Sequence, residues 1–119
     1  MRVTFENEQF EHGIAHFNAR EFFEAHEVWE ELWLRAPTTE KTFLQGIIQM
    51  AAAFHHYGHG NLSGAKSLAA AGVAKMSKYP AGHRGVDVAR LLREAQAWID
   101  ALAGPGAEWR QLPQIHKVG

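Results

Sequence analysis

The chain has 119 residues, 46% of them hydrophobic and 21% charged, with a net charge of −1 and no cysteine. One hydrophobic core fits that length, disorder does not fit that composition, and so small a net charge gives no general field to hold nucleic acid or an anionic membrane. Without cysteine there are no disulfides, thiolate nucleophiles or thiolate metal sites. With a polar start and no apolar run near the ~20 residues of a membrane span, the expected location is the cytoplasm.

A first helix is expected over about residues 5–18, where Phe10, Ile14 and Phe17 share one stripe. His12 and His16 lie opposite that stripe and are expected to face solvent. A second helix covers about residues 21–36 and stops at Pro37, which cannot readily continue it. Thr38 or Thr39 offers an N-cap for a third, which reaches about residue 59 before Gly58 and Gly60 end it. Asn61 caps a fourth, with Leu62, Ala65, Leu68, Ala69, Val73 and Met76 as its apolar positions. The break at 79–85 is rich in turn residues. Within it Gly82-His83-Arg84-Gly85 reads as a plain turn, with anion binding or pocket covering as the alternative. Asp87 caps a fifth helix with a core face of Val88, Leu91, Leu92, Ala95, Trp98, Ile99 and Leu102, ended by Gly104-Pro105-Gly106. Trp109 and Leu112 beyond it are candidates for docking on the domain or on a second subunit. No segment alternates with the period of a strand. The expected fold is all-α: a single compact bundle of about five helices over residues 1–103, the third central and buried, with an irregular tail at 104–119.

Two helices break their own pattern. On a wheel of about 100° per residue, Phe22, Ala25, Val28, Trp29, Leu32 and Trp33 fill one arc, which Phe23 and Leu34 extend. His26 and Glu30 fall inside it, one turn apart on the same face, with Glu27 at the boundary and Glu24 and Glu31 pointing away. The third helix has no Lys, Arg, Asp or Glu between Lys41 and Lys66, which marks it as the central one. Its polar Gln45, Gln49 and His56 fall within about 40° of each other, with Thr42 beside them; His55 and His59 form a separate line. Burying an amide or imidazole without a partner costs about 1–3 kcal/mol, and a carboxylate more. The stripes are therefore expected to face each other as a polar cluster of His26, Glu30, Gln45, Gln49 and His56 inside the bundle, with Glu27 at its rim.

The run Asn18-Ala19-Arg20-Glu21-Phe22-Phe23-Glu24-Ala25-His26-Glu27-Val28-Trp29-Glu30-Glu31-Leu32-Trp33 resembles the signature of the DUF309 family of small bacterial and archaeal proteins. The likeness continues through Phe43-Leu44-Gln45-Gly46-Ile47-Ile48-Gln49-Met50-Ala51-Ala52-Ala53-Phe54-His55-His56 and, more loosely, to about residue 100. It implies a compact helical bundle whose recurrent polar positions fall on His26, Glu27, Glu30, Gln45, Gln49 and one of His55 and His56. It implies no particular activity, so the chemistry is left to the residues.

One reading is a ligand pocket formed by His26, Glu27, Glu30, Trp33, Gln45, Gln49 and His56. There Glu30 would serve as general base, His26 or His56 as acid, and Trp29 or Trp33 as a wall. The glutamines suit an amide, a sugar or a nucleobase edge. A divalent metal on His26, Glu30 and His56 is a second reading, suiting Zn, Mn or Fe. Against it, residues 26–30 spell HExxE and not the HExxH of zinc proteases, and the Glu-x-x-His of diiron bundles is missing from these helices. The contrasting reading is a structural or protein-interaction module in which the cluster only fixes helix packing. Whether the chain is an enzyme stays open. A small molecule and a second copy of the chain are the candidate partners; nucleic acid and membrane are not expected.

Overall fold

Apolar residues recurring at the helical period build five α-helices among the residues that the computed structural model describes, 2–102 and 112–118. They are α1 (Arg2–Asn18), α2 (Phe22–Arg35), α3 (Thr38–Gly58), α4 (Leu62–Met76) and α5 (Val88–Leu102), with a short 3-10 turn at His83–Gly85. The Asn61 side chain accepts from the Gly64 amide at 3.0 Å, and that of Asp87 accepts from the Arg90 amide at 3.1 Å, so both expected caps form. α3 differs. Pro37, extended at φ −65° and ψ 154°, takes the cap position, and Thr38 is already helical, so neither threonine caps.

Short connections leave each helix packed on the one before it, which places α3 between α2 and α4. Ten of its residues are buried. Toward α1 and α2 the filling is aromatic. The Trp29 ring is fully buried, with the rings of Phe10 and Phe17 centred 6.1 and 6.0 Å away, and its Nε1 donates to the Phe10 carbonyl at 3.1 Å. Phe54 on α3 meets Phe17, Phe22 and Trp98 at 5.7, 5.4 and 4.9 Å, and so joins four helices. Toward α4 the filling is backbone. A Cβ on Gly72 would lie 2.7 Å from the Gly46 carbonyl oxygen, and one on Gly46 would lie 2.7 Å from Met76 Cγ.

The C-terminal segment is irregular but docked. Leu112 and Ile115 are buried, and the Asn18 amide donates to the Ile115 carbonyl at 2.9 Å while accepting from its N–H at 2.7 Å. Val86 and Lys117 form an antiparallel bridge flanked by the bonds Asp87 N–H to His116 O and Val118 N–H to Gly85 O. Trp109 and the expected helix stop at Gly104-Pro105-Gly106 lie outside the described residues. Among the described residues no helix is long and apolar enough to cross a membrane.

The 82–85 turn is pinned from an unexpected direction. Glu40, in the first turn of α3, accepts from His83 Nε2 at 2.9 and 3.1 Å and from Arg84 Nη1 at 2.9 Å. The His83 ring packs 4.7 Å from both Phe43 and Tyr79. Burial alone would raise the Glu40 pKa, but the hydrogen bonds from Arg84 and His83, with the charge of both, prevail and hold it below its ordinary 4.5.

Two outcomes test this packing. Gly13 lies against Trp29, and an added Cβ would stand 1.9 Å from Trp29 Nε1. Gly13→Ala must displace a buried indole and its hydrogen bond, at about 3 kcal/mol or more, and thermal melting should fall by roughly 10 °C. A shift within 2 °C would mean that the α1–α2 contact is looser than described. For Glu40 the depressed pKa means stability that is present above pH 4.5 and lost as pH falls through the folded value. Melting curves from pH 6 to pH 2.5 should fall more steeply for the wild type than for Glu40→Gln. That variant should also be about 1–2 kcal/mol less stable at neutral pH.

Candidate functional site on the α2–α3 face

The buried stripe of α2 is narrow: Phe22, Ala25, Trp29 and Leu32. The two residues that widen the sequence arc, Phe23 and Leu34, are 51% and 66% exposed. The edge on which His26 and Glu30 sit is therefore the edge facing water. His26 retains 30% of its side-chain exposure and Glu30 54%, with His26 Nε2 3.3 Å from Glu30 Oε2. Glu27 is exposed, as are Glu24 and Glu31.

α3 is covered on two sides, and its polar strip lies where neither neighbour reaches. Gln45 is exposed; Gln49, Thr42, His55 and His56 are half-buried. The expected cluster inside the bundle is thus corrected: no polar or charged residue is fully buried among the described residues. The stripes do lie on adjacent helices, but they open outward because bulky aromatic residues fill the interface between them. Trp33 is half-buried and closes the far end, donating from Nε1 to the Lys41 carbonyl at 3.1 Å while the Lys41 ammonium lies 4.2 Å from its ring centre.

The hydrogen bonds of the set stay within single helices or their caps. His26 meets only Glu30, and His56 Nδ1 lies 3.5 Å from the Asn61 amide, at the limit of a hydrogen bond. His26 Nδ1 and Gln49 Oε1 are shut off from water without any partner. No bond among His26, Glu30, Gln45, Gln49 and His56 crosses from α2 to α3; the crossing bonds join Trp33 and Lys41, whose Nε1 and Nζ each donate to the other's carbonyl.

The metal set is not assembled either. Among the described residues no three His, Cys, Asp or Glu side chains converge closely enough to hold an ion. The helix register explains why. Phe23 packs on His55 at 5.7 Å and Trp33 on Lys41, so Glu30 is level with the first half of α3. His56 is then about 16 Å further along the axis, at 1.5 Å per residue.

His55, on the separate histidine line, belongs to the face after all. Its ring lies 5.7 Å from Phe23, 6.0 Å from His56 and 4.4 Å from His59, and His59 Nδ1 bonds the His55 carbonyl at 2.9 Å. Burial, then the neighbouring imidazoles of His59, His56 and His26, hold its pKa below 6.5, with Glu24 pulling the other way. His12 is exposed as expected, whereas His16 is half-buried and pairs with Glu21 at 2.8 Å. Sequence reasoning missed two things here: the exposure of Phe23 and Leu34, and the partnership of Glu40 with the 82–85 turn. A signal for the second exists, since Glu40 is the last acidic residue before Asp87.

The family model of a domain of unknown function, DUF309, matches residues 10–68, which run from the middle of α1 to the middle of α4 and include both helices of this face. The chain is 36% identical to the uncharacterized protein YpuF of Bacillus subtilis (strain 168), over 71% of this chain and 51% of that protein. It is 28% identical to an uncharacterized protein of Aquifex aeolicus (strain VF5), over 74% of this chain and 26% of that one. The chain thus spans about half the length of the first relative and about a quarter of the second. The matched segment carries His26, Glu30, Gln45, Gln49 and His56 alike, and by that match this chain belongs to the DUF309 family.

Proposed function

We propose that this protein is a recognition module whose α2–α3 face docks a cationic, amphipathic segment of a partner protein. The carrying observation is that His26, Glu30, Gln45, Gln49 and His56 make no bond across the helix pair, while the face presents apolar anchors at both ends. Phe23 and Leu34 stand eleven residues apart, about three turns, on nearly the same line of the helix, some 16 Å from one another. Between them and beside them Glu24, Glu27, Glu30 and Glu31 are all exposed.

Anchors at that spacing suit a helix laid along the groove, with Lys or Arg opposite the glutamates and two apolar side chains over Phe23 and Leu34. The polar rim of Gln45, Gln49 and His56 offers donors and acceptors to such a partner. An open face of this kind is shaped for a chain more than for a small molecule, which prefers a concave site. Four carboxylates on one helix also repel a phosphate backbone, which agrees with a partner other than nucleic acid.

The test uses a synthetic Lys/Leu amphipathic helix titrated into the protein by calorimetry. Phe23→Ala combined with Leu34→Ala, and separately Glu27→Lys combined with Glu30→Lys, should each weaken binding by about tenfold or more. All four positions are exposed, so melting temperatures should change little, within about 0.5 kcal/mol of stability. Glu6→Lys combined with Glu8→Lys on α1 makes the same change in net charge and serves as the control. If the control weakens binding as much as the face variants do, the peptide is reading net charge and the proposal is wrong.

A further inference from the structure

We infer that the cleft where α1, the 82–85 turn and the C-terminal segment meet binds a small organic oxyanion. It is an open cleft of about 420 Å³ lined by Asn7, Phe10, Glu11, Arg84 and Lys117, on a different part of the molecule from the α2–α3 face. Three separate pieces of chain build it. The Val86–Lys117 bridge and the Val118 N–H bond to Gly85 O bring Lys117 beside the turn that carries Arg84.

Arg84 is held in advance. Its side chain is only 18% exposed, its guanidinium carbon lies 4.6 Å from the Phe10 ring centre, and its Nη1 is fixed on Glu40 at 2.9 Å. Its backbone is left-handed at φ +56°, uncommon for a residue with a side chain, and Gly85 follows at φ +76°. Local strain of this kind persists where the surrounding structure imposes it, and it gathers at ligand sites. The bond to Glu40 leaves Arg84 Nε buried without an acceptor. A charged donor in that state is unfavourable, and with Nη1 on Glu40 the Nη2 end of the guanidinium is left to donate to an oxygen of a carboxylate or phosphate group.

The charge of the lining selects the ligand. Arg84 and Lys117 face one carboxylate, Glu11, which pairs with Lys117; Glu40 does not line the cleft. Both cations are already paired, Arg84 with Glu40 and Lys117 with Glu11, so a ligand anion has to compete with a carboxylate. An incoming oxyanion exchanges with Glu11 for Lys117 while it takes up free donors of Arg84. The volume lies within the range of small-molecule sites, roughly 300–1,000 Å³, and far above that of a bare ion, and Phe10 supplies an apolar wall. The ligand is therefore an anionic head on a compact organic body.

The full chain is titrated with benzoate, phenyl phosphate and inorganic phosphate and followed by two-dimensional NMR. Benzoate or phenyl phosphate should give saturable shifts in the Arg84 Nε–H and in the backbone amides of 84–86 and 117–118. The tighter of the two identifies the head group as carboxylate or phosphate ester. Lys117→Gln should weaken binding about tenfold, while Glu11→Gln, by removing the competitor, should strengthen it several-fold. Both positions are about half exposed, so the fold should persist, and melting curves verify that. Absence of saturation, shifts spread over the lysines of α4, or a Glu11→Gln variant that binds no better than wild type would each overturn the site. Inorganic phosphate binding as tightly as phenyl phosphate would overturn the organic ligand.

Discussion

The meeting of α3 and α4 at Gly46 and Gly72 is the constraint on which the other arrangements rest. With the Gly46 carbonyl oxygen 2.7 Å from where a Gly72 side chain would begin, the two backbones approach closely, and Ala65 and Ala69 of α4 are fully buried. This closeness gives α3 a second buried face in addition to the aromatic one shared with α1 and α2. A helix buried on two sides cannot carry ionised side chains there, which is why charge disappears between Lys41 and Lys66.

The polar strip of α3 is what remains after those two faces are taken. Gln45, Gln49 and His56 are confined to the angle that neither neighbour covers, and they meet the outer edge of α2 along the seam. A purely architectural role for them would require bonds between the two helices. The contacts run within helices instead, and two atoms, His26 Nδ1 and Gln49 Oε1, have no partner. Packing here is done by Trp29, Phe43 and Phe54, all essentially fully buried. The hydrogen-bonding capacity of the seam is surplus to that packing, and surplus polarity on a face with exposed Phe23 and Leu34 is what an interface carries.

Much of this was legible in the sequence because it is local. The order of helices, the caps at Asn61 and Asp87, and the central place of α3 follow from period, cap chemistry and the missing charge. The lateral limits of burial were not legible. On a wheel Phe23 and Leu34 widen the apolar arc of α2 and draw His26 and Glu30 inside it, yet the arc says nothing about how far the neighbouring helix extends around it. Only the crossing of α2 over α3 decides that, and it leaves this edge open. Contacts between remote residues were equally invisible. Glu40 with Arg84 spans 44 positions and Asn18 with Ile115 spans 97, and such pairs leave no period to read.

Net charge conceals the distribution that matters most for association. Nine of the thirteen acidic residues but only three of the twelve basic ones fall in the first 40 positions, so the excess reverses sign across the chain. In the fold this becomes an acidic side made by α1 and α2 and a side where α4 presents Lys66 and Lys75 with no carboxylate. α3, without Lys, Arg, Asp or Glu beyond Lys41, separates them. A molecule charged in this way turns in the field of an approaching ion, so the cationic segment proposed as partner would meet α2 ahead of α4 even though the net charge is close to zero. The same burial that strips charge from α3 would therefore orient the proposed partner. Exposed charge of this kind is screened over about 10 Å at 0.1 M salt, so the orientation acts on the rate of encounter, while Phe23 and Leu34 would act on how long the complex lasts.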